Sequence, residues 1–592
     1  MLAAPMHDEV RKSFAERVAA LPRLGLGVST EFGAAGARGV GLDVAALRRE
    51  RPAAARFLEI GVDLERGVDA VARAWVGAGW PTTYHFLDAN LEEPEDLTQE
   101  WIEATASLAR ELGAAWLCGD AGLWHVGPRD RGHGTLLPPI LTAASASAMA
   151  ESVRRLREAS GLEVLPENPP AHLYLGDLGL LEYFARVVED ADAGLLLDVA
   201  HLAIHQRAAG RAPLDGLDDF PLERVVEIHV AGGVEFAHGG RRFVDDDHSP
   251  EPLPDAWAIL DFVLPRAANL RAVVYECERN PREAVLANFD RLAAALADAP
   301  LRRGIRAGRR PRRPDRDERP ADHRGLQRAL FRMQHDPGFA ARLRAGDGET
   351  LASARLGPRE LGWLRDADPA AVAADRDGKR TAQLLRNLGS EFPLATSVGP
   401  RCDGNPAFAG AFPRSAEFHR AVSDGESLPL AFAAWLEARA QESPSPLFRA
   451  LASLESAMAR ARRAPADAVR SPARGEVVLG ATAWVHWAPA GTHRAAVALA
   501  GDAAPGALAL DEVGREGILI AGEAGADLRF GRLRPISVEP LAPLVAAFLE
   551  RARVPLDRAE RARFAVEHGV ALADLESVVD DYVSEGALRR GD

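Results

Sequence analysis

"GLLLDVAHLAIH", residues 194–205, decides how the first half of the chain is read. Leu195, Leu196, Leu197 and Val199 surround a single polar residue, Asp198, a run that suits a strand buried on both faces. Parallel sheets covered by helices produce such runs. Asp198 closes the apolar stretch, with His201 and His205 following at once. A buried carboxylate is costly unless something positive meets it. The stretch therefore poses a question of fold and a question of chemistry together.

Working outward, short apolar runs alternate with helical stretches from 20 to about 300. The expected strands are "LGLGVS" (24–29), "RFLEIGV" (56–62), "PTTYHFL" (81–87), "AAWLCGD" (114–120), "LEVLPEN" (162–168), "GLLLDV" (194–199), "VVEIHVAG" (225–232) and "AVVYECE" (272–278). Amphipathic segments such as "LTQEWIEATASLARELG" (97–113) lie between them. Eight strands alternating with helices over this length predict an α/β fold, an eight-stranded (β/α) TIM barrel at 20–300. A doubly wound sheet is the alternative, but no GxGxxG follows the first strand.

Beyond the barrel, "LRRGIRAGRRPRRPDRDERPADHR" (301–324) is rich in Arg, Pro and Asp and reads as a solvated linker, with contact to RNA or a peptide as the other reading. Residues 325–470 show helical spacing broken by Gly and Pro and are expected to form a helical domain. Residues 471–592 hold β-type runs, "GEVVLGATAWVHWA", "HRAAVALAG" and "GILIAGE", followed by three short helices. That order predicts a small α+β, winged-helix-like domain.

Composition narrows the classes. A chain of 592 residues with 47% hydrophobic content can build several cores. No long apolar stretch reads as a membrane span, and the N-terminus turns charged before a signal peptide can form, so a cytoplasmic location is expected. Cys118, Cys277 and Cys402 are too far apart for a CxxC zinc site or a disulfide framework. A formal charge of −15 argues against sequence-independent nucleic-acid binding by the whole chain.

Barrel active sites are built from strand ends and the loops that follow them. At those places stand His85, Asp120 and His125, Glu167 with Asn168, Asp198 with His201, His229, Asp246 with His248, and Glu276. Singly, each is an ordinary hydrogen-bonded strand-end residue. Together, several imidazoles and carboxylates at one mouth would repel and desolvate one another unless cations sat among them. Mixed His and carboxylate donors without thiolate suit Fe, Mn, Zn or Co, and eight or more ligands exceed what one ion takes. Asp198 is thus expected to face a metal; His205 is read as a supporting or structural residue.

The stretches "ENPPAHLYLG" (167–176), "LLLDVAHL" (195–202), "RVVEIHVAGG" (224–233), "DDDHSP" (245–250) and "YECER" (275–279) occur in that order. As a set they resemble the multinuclear non-haem iron-dependent oxidative enzymes (MNIO, formerly DUF692), the family of the methanobactin-biosynthesis oxidase. The resemblance covers roughly 20–295. It implies a xylose isomerase-like barrel holding two or three iron ions, which uses O2 as co-substrate to modify a ribosomally made precursor peptide. By position it implies the ligands His85, Glu167, Asp198, His201, His229, Asp246, His248 and Glu276, with Glu167, Asp198 and His229 central to catalysis. One departure stands out: where the family has a metal-binding His in "DHL", "GDAGLWHVG" (119–127) places Ala121. His125 or Asp120 substitutes, or the site holds fewer ions. The family commonly works with a leader-binding partner protein, and the region after the linker is read as such a partner fused to the enzyme. The alternatives are a divalent-metal isomerase or endonuclease-IV-like phosphodiesterase, and a metal-sensing regulator with a DNA-binding C-terminal domain.

Overall fold

The computed structural model describes residues 12–31, 41–129, 136–298, 322–375, 378–403, 408–465, 472–501, 503–505, 508, 510–523 and 525–591. The chain divides into two compact units, Met1–Val126 with Gly134–Thr381, and Gly127–His133 with Ala382–Asp592. The expected linker at 301–324 lies almost wholly outside the described residues.

The first unit holds strands β1 (Gly25–Glu31), β2 (Leu58–Val62), β3 (Thr82–Phe86), β4 (Ala114–Asp120), β5 (Val164–Glu167), β6 (Leu195–Asp198), β7 (Val225–His238), β8 (Arg241–Ser249) and β9 (Ala272–Glu276). Neighbours pair in parallel from β1 to β7; β7 then pairs with β9 and β9 with β1. The ring closes with eight parallel strands, as the alternation of apolar runs predicts. Nearly every strand residue is buried, because side chains face the barrel interior on one side and the surrounding helices on the other.

β8 is an addition. The sequence reads as a loop there, but β7 runs on to His238 and turns back antiparallel through Gly239 and Gly240, both at positive φ (57° and 77°). Successive positive-φ residues are what a tight hairpin of the favoured twist requires, and glycine adopts them without strain. Asp246 and His248 therefore stand on a strand that leans over the mouth.

The N-terminal end of the barrel is plugged by apolar packing. Phe14 and Val18 of helix Phe14–Ala19 join Leu24, Phe57, Trp116, Leu165, Leu196, Val226 and Val274. Arg17 fixes the plug by pairing with Glu163 at 2.8 Å.

The unit does not stop with the barrel. Helices His323–His335, Pro337–Ala345, Gly348–Ala354, Pro358–Asp366 and Pro369–Ala374 belong to it. Leu326, Leu330, Met333, Phe339, Leu343, Leu364 and Val372 bury their apolar faces with Ile140 and Leu175 from barrel loops. Gln327 donates to the Glu92 carboxylate, and Arg324 pairs with Glu93 at 2.7 Å. The helical region expected as one domain at 325–470 is thus divided after Thr381, since its first helices find their apolar partners on the barrel.

The second unit contains helices Pro393–Asp403, Ala416–Asp424, Leu428–Glu442 and Pro446–Arg463, followed by strands and further helices. Strands β11 (Ala483–Ala490), β12 (Asp511–Gly522) and β13 (Ile536–Leu541) form an antiparallel sheet; β10 (Val477–Leu479) pairs with the last strand, β14 (Leu588–Arg590). Leu454 and Ala461 pack against Ile518 and Ile520, so helices and sheet share a core and the expected boundary at 470/471 falls inside this unit. Three helices, Pro543–Arg551, Arg558–Glu567 and Leu572–Ser584, follow the sheet in the expected order. Among the described residues no helix is long and apolar enough to cross a membrane.

Candidate metal centre at the barrel mouth

Strands β3 to β9 each contribute a donor: His85 on β3, Asp120 on β4, Glu167 on β5, Asp198 on β6, His229 on β7, Asp246 and His248 on β8, and Glu276 on β9. Asp198 also caps helix Val199–Ala208, accepting from the His201 backbone N–H at 2.6 Å, which turns His201 back toward the mouth. Four triads of donors each fit within 4.8 Å: Glu59, Glu227 and His229; His85, Asp120 and Glu167; Glu167, Asp198 and His201; Asp198, His229 and Glu276. Glu167 and Asp198 each belong to two triads, so the groups form one connected array.

Glu167 lies at its middle. Its carboxylate is 2.8 Å from His85 Nε2, 3.5 Å from His201 Nδ1 and 3.4 Å from His229 Nδ1. On the β8 side, Asp246 stands 3.3 Å from His201 Nε2 and 3.7 Å from His248 Nε2. Glu276 reaches His229 Nδ1 at 3.2 Å and His248 Nε2 at 3.6 Å.

Three imidazoles are oriented from behind. His201 Nδ1 donates to the Asn168 carbonyl at 2.8 Å; His248 Nδ1 meets Glu278 at 2.9 Å; His229 Nε2 meets Glu59 at 3.1 Å. Such partners fix the proton on one ring nitrogen and leave the other free to ligate. His248 holds φ +54°, rare for a side chain of its size, and strain of this kind persists where the surroundings impose it. The side-chain amide of Asn168 exchanges two hydrogen bonds with the Asp198 backbone, at 2.9 and 3.0 Å, locking β5 to β6.

The electrostatics are those of a buried, crowded array. Burial opposes charge on His85, yet Glu167, Glu59 and Asp120 raise it to about 9. Burial likewise opposes charge on His201, His229 and His248, and their carboxylate neighbours lift all three well above the ordinary histidine value. Burial resists ionisation of Glu167 and Asp246 too, but facing imidazoles hold both low. Asp198 is pushed well up by burial, with Glu276 and Glu167 adding to the effect. Without metal, protons on the imidazoles do the neutralising; a cation would displace them.

The residues fit that replacement. Asp198 Oδ2, His229 Nδ1, Asp246 Oδ1 and Glu276 Oε2 are buried and make no hydrogen bond. Buried polar atoms are almost always satisfied, so four orphans within one array point to an ion. The opening, about 460 Å³ of empty space, is lined by His85, Glu167, His201, Asp246, His248 and Glu276 and by Ser29, Leu87, Trp124 and Pro170.

One sequence candidate, His125, lies elsewhere, and His205 is structural, as read from the sequence. The His125 imidazole pairs with Asp96 at 3.2 Å and does not line the opening; Asp120, 3.9 Å from His85, takes the place on the β4 side. His205 packs edge-on against Tyr174, and burial pushes it down to about 4. Sequence reasoning also missed Glu59, Glu227 and Glu278. Their signal is alternation: Glu227 is two residues before His229 and Glu278 two after Glu276, hence on the same face. Burial, followed by Glu59, raises Glu227 to about 8, so it is held neutral beneath the array while Trp116 donates to it at 2.7 Å.

Two expectations follow. His125→Ala leaves metal stoichiometry at the wild-type value, since its partner is Asp96; loss of an ion on elemental analysis would refute this. Glu59→Gln removes the charge behind His229 and lowers metal affinity about 10–100-fold, as outer partners of ligands do. Competition with a chromogenic chelator measures this, and unchanged affinity would show Glu59 to be a bystander.

The chain is 28% identical over 188 residues to a UPF0276 protein of Rhizobium meliloti, covering 31% of this chain and 60% of the relative. It is 27% identical over 193 residues to a UPF0276 protein of Acaryochloris marina, covering 32% of this chain and 68% of that one. The chain thus spans less than two thirds of the Rhizobium protein's length. Among solved structures it is similar to endonuclease IV from Thermus thermophilus (19% identity, TM-score 0.30, 46% of this chain and all of that one). It is also similar to a xylose isomerase-like TIM barrel protein from Mycobacterium smegmatis (12% identity, TM-score 0.34, 48% of this chain and 99% of that one). The family model described as "RiPP precursor modification enzyme MbnB/TglH/ChrH" matches residues 39–297. Over that segment, its barrel, the chain matches the MbnB/TglH/ChrH family of RiPP precursor modification enzymes.

Proposed function

We propose that this protein is a multinuclear non-haem iron oxidase that modifies a ribosomally synthesised precursor peptide with O2. The observation that carries the reading is the set of four orphaned donor atoms within an array of interlocking His/carboxylate triads. All donors are nitrogen or oxygen, a set that suits iron, and two triads sharing Glu167 suit more than one ion. The metal ligands are His85, Glu167, Asp198, His201, His229, Asp246, His248 and Glu276, with Asp120 on the β4 side. When bound, iron supplies the redox chemistry with O2 that no side chain here provides.

The chain's own residues do the rest. Glu167 offers two oxygens to neighbouring positions, and Asn168, Glu59 and Glu278 hold three histidines in one tautomer each. Trp124, Leu87 and Pro170 form the apolar side of the opening, where a peptide side chain would be shielded from water. The second unit, Ala382–Asp592, is the fused peptide-recognition region: its sheet has two edge strands, β11 and β13, to which an extended leader can add by main-chain hydrogen bonds.

The test is anaerobic purification with metal analysis, then incubation with a precursor peptide encoded beside the gene. Expected are two or more irons per chain and a peptide mass change that requires both iron and O2. Full activity with zinc and without O2 would overturn the reading in favour of an isomerase or phosphodiesterase.

A further inference from the structure

Helix Pro369–Ala374 lies beyond the family-matched segment, yet its C-cap residue, Asp375, reaches back to the loop after β5. A carboxylate at a helix C-terminus faces the negative end of the helix dipole, so its position calls for outside partners. Three are present. Asp375 accepts from the backbone N–H groups of His172 and Leu173 at 2.6 and 3.1 Å, and its carboxylate lies 2.7 Å from His172 Nδ1. Both side chains are buried, at 7% and 8% exposure, so this contact is shielded from water.

His172 passes the contact on. With Asp375 against Nδ1, its Nε2 donates to the Val244 carbonyl at 2.8 Å. Its ring is wedged edge-on against Phe236 of β7 and Phe243 of β8, at 5.9 and 5.0 Å between centroids. Val244 stands two residues before Asp246 and four before His248. The hairpin is otherwise a two-stranded arm outside the barrel ring, and such an arm is marginal unless something packs on it. Ala370, Ala371 and Ala374 supply part of that packing through Phe243 and Phe236. Asp375 also anchors the loop that leaves Asn168, whose carbonyl orients His201.

We infer that Asp375 is a positioning residue for the metal centre, acting through His172 on β8 so that Asp246 and His248 meet the ion they share with the barrel. The inference rests on the metal reading above. It gives the helices after the barrel a place in the chemistry: they complete the mouth.

The test uses the full-length chain, freed of metal and titrated anaerobically with Co2+, whose visible absorption reports the ligands. Asp375→Asn keeps the shape and removes the charge. His172→Phe keeps the aromatic packing, and leaves Asp375 its bonds to both backbone N–H groups, but cuts the link to Val244. Each is expected to weaken the Co2+ bound by Asp246 and His248 at least about tenfold and to change its spectrum, leaving the other Co2+ as in wild type. The double variant is expected to be no worse than either single, because both act along one path. Melting curves identify a variant that fails to fold, and His172→Phe then decides alone. Normal Co2+ binding by His172→Phe, or additive losses in the double variant, would overturn the relay. Wild-type protein that takes up no Co2+ would overturn the metal reading itself, and this inference with it.

Discussion

Glu167→Gln is expected to lose at least one metal ion per chain and all measurable turnover. The variant keeps the size of the side chain and removes the charge at the centre of the array. Glu167 belongs to two of the four triads and lies within 3.5 Å of His85, His201 and His229. An amide oxygen is a poorer ligand than a carboxylate and offsets no cation charge, so the loss should exceed the 10–100-fold typical of outer partners. It should also reach both positions that share the residue. Elemental analysis after anaerobic reconstitution measures the stoichiometry, and circular dichroism checks that the barrel persists. A variant that retains every ion of the wild type would remove Glu167 from the ligand set. Asp198→Ala is expected to behave alike, since Asp198 is also shared between two triads.

A chain ending at Asp298 is expected to be insoluble or strongly destabilised, whereas one ending at Thr381 folds. The shorter chain looks reasonable from sequence, because it keeps every barrel strand and stops before the Arg-rich stretch. It also strips the partners from Ile140 and Leu175, removes Gln327 from the buried Glu92, and takes Asp375 from His172. Uncovering two buried aliphatic side chains costs roughly 1.5–3 kcal/mol each. Breaking a buried ion pair costs about 3–5 kcal/mol more. A loss of that size lowers the melting temperature by on the order of 10 °C or more. Expression of both fragments and their thermal unfolding decide the matter. A 1–298 fragment melting with the 1–381 fragment would show the extension to be an ornament on an autonomous barrel.

Both predictions turn on what the sequence determined by itself and what only the tertiary structure decided. Alternating apolar runs and amphipathic helices sufficed for the barrel, because a strand buried on both faces leaves a local compositional trace. The same trace marked the candidate ligands: a charged residue ending an apolar strand is costly enough to be conspicuous in one dimension, as at Asp198 or Glu167. Local signals could not tell which donor faces which. Asp120 ends β4 and His125 follows five residues later, and only folding turned the first toward His85 and the second toward Asp96. Glu59 went unread because its strand end carried no histidine to mark it, and its partner, His229, is 170 residues away. β8 went unread because a hairpin arm of mixed polar and apolar residues resembles a loop until its packing against the Asp375 helix is seen. The division after Thr381 was invisible for the same reason. Helical periodicity states that an apolar face must be buried, but the surface that buries it belongs to a distant part of the chain, and contacts of that range leave no mark in local pattern.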